Sequence, residues 1–104
     1  MFAHSGMLTL KDDMAKDSAI LIQEGLLALV GHIPGLVHAR VGGSAEVNAE
    51  TATLLFIMEF DSEASWRLYG DHPAHKALVR DAIAPALADK RFFQTRSWQT
   101  KALV

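Results

Sequence analysis

The segment TLLFIMEF, residues 53–60, is the strongest strand signal in the chain and decides the fold. Side chains alternate between the two faces of a strand, so residues of equal parity share a face. One face is entirely apolar and the other carries a single acid: Leu54, Phe56, Met58 and Phe60, against Leu55, Ile57 and Glu59. A strand that is apolar on both faces is covered on both. The segment therefore predicts a central strand of a sheet.

The sequence on either side supplies three more strands and three helices. Pro34-Gly35 ends a helical pattern, and Asp61-Ser62 is a favourable helix cap. Pro73 suits a first helical turn. Pro85 limits the helix before it, because an interior proline loses a hydrogen bond and clashes with the preceding turn. We predict strands over residues 2–10, 36–42 and 91–98, and helices over residues 14–33, 62–70 and 72–84.

The resulting order, β-α-β-β-α-β, is the ferredoxin-like arrangement of the α+β class, with one four-stranded antiparallel sheet and its helices on one face. The other sheet face would be bare in a monomer, and Leu55 and Ile57 lie on it. Apolar side chains in such a patch mark an interaction surface. We expect a homodimer in which this open face packs against a second copy.

Length and composition limit the function classes. The chain has 104 residues, enough for a single domain over residues 1–104. Ten basic and twelve acidic residues give a net charge of −2 without a basic stripe, so we expect no nucleic-acid partner. No apolar run is long enough for a membrane span. The chain has no cysteine and no secretory signal pattern, which is typical of a cytoplasmic protein.

Several motifs together resemble the stress-responsive A/B barrel family over about residues 4–98. They are His4, Val30–Leu36, Met58–Ala64, Tyr69, His72-Pro73-Ala74-His75 and Pro85–Leu87. The resemblance implies a dimeric α+β barrel in which two ferredoxin-like sheets face each other. It also implies a cleft between each sheet and its own helices.

The resemblance also suggests a chemistry. Some similar plant proteins are polyketide cyclases that use a tyrosine and a histidine for acid–base work, and this pattern falls on Tyr69 and His75. The first-strand histidine falls on His4. Leu54 stands where the cyclases place another histidine, which removes a polar group and argues against cyclase activity. The predicted ligand-binding residues are His4, Leu54, Phe56 and His72.

Each polar candidate also has a structural explanation. His75 would be a neutral base near a helix N-terminus, or it would anchor the helix start together with His72. Tyr69 would donate to a carbonyl oxygen, or it would be an aromatic wedge whose hydroxyl is satisfied. His4 would face a ligand, or it would be a hydrogen-bonded core histidine.

The sequence favours ligand binding over catalysis. No two histidines stand four apart on one helix, so we predict neither a metal site nor a cofactor. The favoured function is binding of a small apolar ligand in the cleft. The alternative is a cofactor-free lyase or cyclase acting on a polyketide-like carbonyl compound, with His75 and Tyr69 as the acid–base pair. A third hypothesis, haem or quinol oxidation, rests on fold analogy alone.

Overall fold

Four strands and a set of helices alternate along the chain in the computed structural model, which describes residues 1–11, 15–44 and 52–103. Their bounds are β1 Phe2–Leu10, α1 Ala15–Ala28, β2 Leu36–Gly43, β3 Thr53–Phe60, α2 Glu63–Tyr69, α3 Pro73–Leu78, a π-helical segment Val79–Ile83, α4 Ala84–Ala86 and β4 Leu87–Thr95. None of the helices in these ranges is both long and apolar enough to cross a membrane.

The sheet is antiparallel, with strand order β2-β3-β1-β4. This order confirms the predicted ferredoxin-like α+β fold. The pair β1–β3 is central, with Phe2 opposite Phe60, Gly6 opposite Phe56 and so on in unbroken register to Thr9 opposite Thr53. The two outer strands, β2 and β4, form the sheet edges.

The hydrophobic core lies between the helices and one face of the sheet. The apolar face predicted for β3 is fully covered there, since Leu54, Phe56, Met58 and Phe60 are all buried. From the helix side, α1 and the turn after it contribute Ile22, Leu26, Leu29 and Ile33. The opposite sheet face is open, and Leu55 on it is 49% exposed.

The first helix ends earlier than predicted. It ends at Ala28, whereas the apolar spacing had extended it to residue 33, and its predicted start at residue 14 lies outside the described residues. Gly31 adopts a positive φ of 92°, which a right-handed helix cannot contain. Leu29 and Ile33 remain in the core through turns. Their burial explains why the apolar pattern outlasts the helix.

The last strand is also displaced from its predicted position. It spans Leu87–Thr95, instead of residues 91–98. Its extent is set by its partner β1, because Thr95 pairs with Ala3 and Leu87 pairs with Leu10. A register shift between Thr9 and Leu10 lets β4 include one unmatched residue. The prediction missed the first four residues of β4, which include the charged Asp89 and Lys90.

The helical region before β4 passes through Pro85, which was expected to end it. Helical conformation continues to Ala86. The preceding segment is π-helical, and the amide of Ala84 bonds the carbonyl of Val79, five residues earlier. This wider turn disrupts the regular hydrogen-bond ladder just before the proline. Pro85 therefore fits at the start of the final turn without displacing a bonded amide.

Gly35 and Gly31 allow a matched test of the turn that leads into β2. Both have positive φ, so alanine at either position is strained by about 1 kcal/mol. A Cβ at Gly31 meets open space, whereas a Cβ at Gly35 overlaps the side chain of Ser65. We expect Gly35→Ala to lower the free energy of unfolding by about 1–3 kcal/mol more than Gly31→Ala. Urea denaturation measures both, and equal losses would contradict the proposed steric contact.

Candidate functional site

A cavity of about 540 Å³ lies between the sheet and the helices. Both the sheet and the helices contribute to its wall. The strands supply His4, Leu8, Phe56, Leu87, Lys90 and Phe92. The helical side supplies Leu26, Trp66, Arg67, Tyr69, Gly70, His75, Val79, Ile83 and Ala84. π-Helical segments are frequent at functional sites. Here the segment supplies two apolar side chains to the wall.

Gly6 explains how the floor of the cavity is built. It lies between Phe56 and Phe92 on neighbouring strands, and a Cβ there would overlap both rings. The two rings meet edge to face, with their centroids 6.2 Å apart. The missing side chain thus lets aromatic rings from both neighbouring strands close over β1.

His4 is a buried histidine on this floor. The side-chain amide of Gln94, directly opposite on β4, donates to His4 Nδ1 at 2.9 Å. The neutral ring therefore carries its proton on Nε2. Burial, and to a smaller extent repulsion from the nearby His75 imidazolium, lowers the pKa of His4 from 6.5 to about 4. At neutral pH His4 is an uncharged hydrogen-bond donor.

His75 lies in the first turn of α3. Its Nδ1 lies 3.2 Å from the carbonyl oxygen of Gly70, which can only accept, so the proton is on Nδ1. Nε2 is then the unprotonated nitrogen and can accept a hydrogen bond. Burial lowers the pKa of His75, the bond to Gly70 partly opposes this, and His72 adds to the lowering. Burial thus favours the neutral form of His75, and Nε2 is the nitrogen that can accept a proton.

Tyr69 brings His75 against the core. The two ring centroids lie 4.2 Å apart, and the tyrosine ring also packs edge to face against Phe60. Its hydroxyl donates to the sulfur of Met58 at 3.5 Å, a weak bond to a weak acceptor. Burial raises the pKa of Tyr69 well above its usual value. The hydroxyl consequently stays protonated and is a poor proton donor in acid catalysis.

The structure brings four of the six predicted site residues together. His4, Phe56, Tyr69 and His75 all line the cavity. His72 does not: its Nδ1 accepts a hydrogen bond from the amide of Ala74 at 3.0 Å and caps α3. Leu54 is also absent from the lining, because it is buried in the core farther along β3.

Sequence reasoning missed three polar residues of the site. Lys90 was not predicted as a site residue because the predicted β4 began after it, at residue 91. Gln94 was not predicted because the sequence does not show that it pairs with His4. The position of Arg67 could have been predicted, because it stands four residues after Glu63 on one helix, a spacing that favours an ion pair. The two side chains form that pair at 2.8 Å. Glu63 also binds Arg96, at 2.6 Å.

Metal ligands do not cluster in the described part of the chain. No three histidine, aspartate or glutamate residues there are placed to hold an ion. His4 and His75 are the imidazoles of the cavity, and each binds a neighbour through Nδ1. The two imidazoles thus provide one N–H donor and one acceptor nitrogen, in a wall that also contains aromatic rings and the cations Arg67 and Lys90.

The fold and the cavity together define a ferredoxin-like α+β domain with a mainly apolar cavity between sheet and helices. The chain belongs to the stress responsive A/B barrel domain family, whose model matches residues 2–94. No curated protein matches the chain in a sequence search.

Solved structures share this architecture. A protein from Arabidopsis thaliana is similar with a TM-score of 0.81 at 18% identity, covering 98% of this chain and 100% of its own. A dabb family protein with a ferredoxin-like fold from Mesorhizobium loti has a TM-score of 0.73 at 22% identity, covering 94% and 97%. A dimeric ferredoxin-like protein of unknown function from Thermobifida fusca has a TM-score of 0.75 at 28% identity, covering 90% and 88%.

The burial of His4 makes stability depend on pH. Its folded-state pKa of about 4 lies below the ordinary 6.5, so the unfolded chain takes up this proton first as the pH falls. The contribution of the neutral His4 to the free energy of unfolding is complete above about pH 6.5 and is lost as the pH falls toward 4. Between pH 7 and about 4.5, the free energy of unfolding should fall by about 2.5 kcal/mol more in the wild type than in the His4→Gln variant.

Urea denaturation at fixed protein concentration gives both values. His32→Gln is the control, since it replaces an exposed histidine and leaves His4 in place. It should keep the pH dependence of the wild type. A His4→Gln variant with that same dependence would show that His4 titrates normally in the folded protein.

Proposed function

We propose that this protein binds a small, mainly apolar organic molecule that carries at least one polar oxygen. The observation that supports this proposal is the cavity itself, about 540 Å³ of mostly apolar wall with two neutral histidines. Ligand sites typically have this size and this ratio of apolar surface to a few polar groups. The volume suits a molecule of one to three rings or an equivalent chain.

The two histidines suggest how such a ligand would be oriented. His4 offers its Nε2–H as a donor to a carbonyl or hydroxyl oxygen, while Nε2 of His75 accepts from a hydroxyl. Each ring is held by one fixed partner, Gln94 or the Gly70 carbonyl. Because neither imidazole is charged at neutral pH, burying them against an apolar ligand costs little.

A second candidate function is a cofactor-free lyase or cyclase acting on a carbonyl compound. The observation in its favour is the unprotonated Nε2 of His75, which is a suitable general base. Tyr69 is a weak partner for it, because its hydroxyl is directed to Met58 and its pKa is raised. Leu54 adds no polar group to the cavity wall. Binding is therefore the function that the geometry supports better.

We also propose that two copies associate through the open face of the sheet. Met7, Leu55 and Phe93 expose apolar side chains on that face, and Phe93 is 67% exposed. Met7 is directly opposite Leu55 in the β1–β3 ladder, and Phe93 on β4 is opposite Ser5, so all three lie on the same face of the sheet. The similar proteins from Thermobifida fusca and Bacteroides fragilis are described as dimeric, which supports this arrangement.

Filling the cavity should abolish ligand binding. Nile red, a neutral apolar dye, is a suitable probe, and we expect saturable binding with a blue shift of its emission. Ala84 lines the cavity, so Ala84→Phe should weaken binding about tenfold or more, equivalent to about 1.4 kcal/mol or more. Ala64→Phe is the control, because Ala64 is exposed on α2 outside the cavity. It should bind like the wild type.

Two results would contradict the proposed site. One is a wild-type protein that does not bind the dye, and the other is an Ala84→Phe variant that binds it normally. Matching circular dichroism spectra and urea midpoints would confirm that all three proteins are folded.

A charge on the open sheet face should separate the dimer. We expect the wild type to sediment at twice the chain mass of 11.4 kDa. Leu55→Glu buries a carboxylate against the second copy and should give monomers at micromolar concentration. Leu68→Glu is the control, because Leu68 is 73% exposed on α2, away from the sheet. A monomeric wild type, or a Leu55→Glu dimer, would refute this interface.

A further inference from the structure

The charged residues at the cavity are all of one sign. Its lining contains two cations, Arg67 and Lys90, and no aspartate or glutamate. The whole chain carries a net charge of −2, so the lining departs from the average of the protein. A cleft with charge of one sign and low-dielectric walls concentrates ligands of the opposite charge.

Neighbouring charges leave this site positive. Arg67 is paired with Glu63, and the same carboxylate also binds Arg96, so one negative charge faces two positive ones. No acidic residue in the described ranges forms a salt bridge with Lys90. Its ammonium group instead lies 5.6 Å from the ring centroid of Phe92, another lining residue. Glu63, Arg67, Arg96 and Lys90 together carry a charge of +2.

The position of Lys90 within β4 is informative. A lysine on an edge strand also discourages the pairing of sheets from different molecules, which would explain a charge at this strand. Lys90 pairs with Leu8 in the β1–β4 ladder, and both residues line the cavity. The neighbouring Arg91 has the opposite parity and points to the open face. Arg91 on the open face would be enough to discourage edge pairing, so that role does not explain why Lys90 lies on the cavity side.

We propose that the natural ligand is a small organic carboxylate, with its apolar body in the cavity and its carboxylate bound by Lys90, while Arg67 adds positive charge to the same lining. This proposal rests on the proposed binding function and specifies the class of ligand. The body packs against the aromatic rings of the wall, while the ammonium of Lys90 supplies the charge that no carboxylate of the described chain neutralises. The N–H of His4 is available to a second oxygen of the ligand.

A charged probe and its neutral analogue test the proposal. The probes are 2-naphthoate and 2-naphthamide, which share ring, shape and size but differ in charge. Isothermal titration calorimetry at neutral pH should show that the wild type binds naphthoate about tenfold more tightly. The advantage should shrink as salt is added, because ions screen charges at a solvent-accessible rim.

Removal of the Lys90 charge should remove this preference. Lys90→Met keeps most of the apolar stem, so naphthamide affinity should be unchanged while naphthoate loses its advantage to within about twofold. Lys76→Met is the matched control, because Lys76 is an exposed residue of α3 outside the cavity. It should retain the wild-type preference.

The outcomes separate this proposal from the one on which it rests. Two results would contradict the carboxylate ligand but leave the binding function intact. One is equal binding of the two naphthalene probes by the wild type. The other is binding of Nile red without binding of naphthoate. If naphthoate binds the Ala84→Phe variant as tightly as the wild type, it binds outside the cavity, and that result also contradicts the carboxylate proposal. Failure of Nile red and both naphthalenes to bind overturns the binding function itself.

Discussion

The antiparallel pairing of β1 with β3 is the constraint on which the rest of the structure depends. Its register places Gly6 opposite Phe56 and His4 opposite Met58. Because side chains alternate with a period of two, a slip of one residue would turn the apolar face of β3 toward the open side. The same register sends Leu55 to the open face and Phe56 to the cavity. One ladder thus determines both the floor of the cavity and the apolar side chains on the open sheet face.

The floor of the cavity depends on one missing side chain in this ladder. At Gly6 the helix-side layer of β1 has no side chain of its own, and Phe56 and Phe92 close over it. The wider π-helical segment supplies Val79 and Ile83 from the opposite side. Burial in this space keeps both His4 and His75 neutral, since neither has an anionic partner among the described residues that would favour the charged form. The polarity of the site is therefore a consequence of how the fold packs.

The sequence predicted most reliably what depends on one segment alone. The alternation in residues 53–60 gave both the bounds and the buried face of β3, and Ser62 was correctly predicted to cap α2. The bounds of β4 could not be predicted in the same way, because its partner strand decides them. Lys90 was missed as a site residue for that reason. His72 was ambiguous, since a histidine before a proline at a helix start caps the helix as readily as it faces a ligand.

Tyr69 shows why a motif does not by itself determine chemistry. The tyrosine and His75 meet as the family motif predicts, with ring centroids 4.2 Å apart. An acid catalyst, however, needs a pKa near the working pH and a hydroxyl directed at the substrate. Here the hydroxyl donates to the thioether of Met58, on the strand that also carries Leu54. Burial of the ring raises the cost of forming a phenolate, so Tyr69 is not an effective acid partner for the unprotonated nitrogen of His75. The same apolar wall suits the hydrophobic ligand proposed above, so the features that make Tyr69 a poor acid are compatible with a binding role.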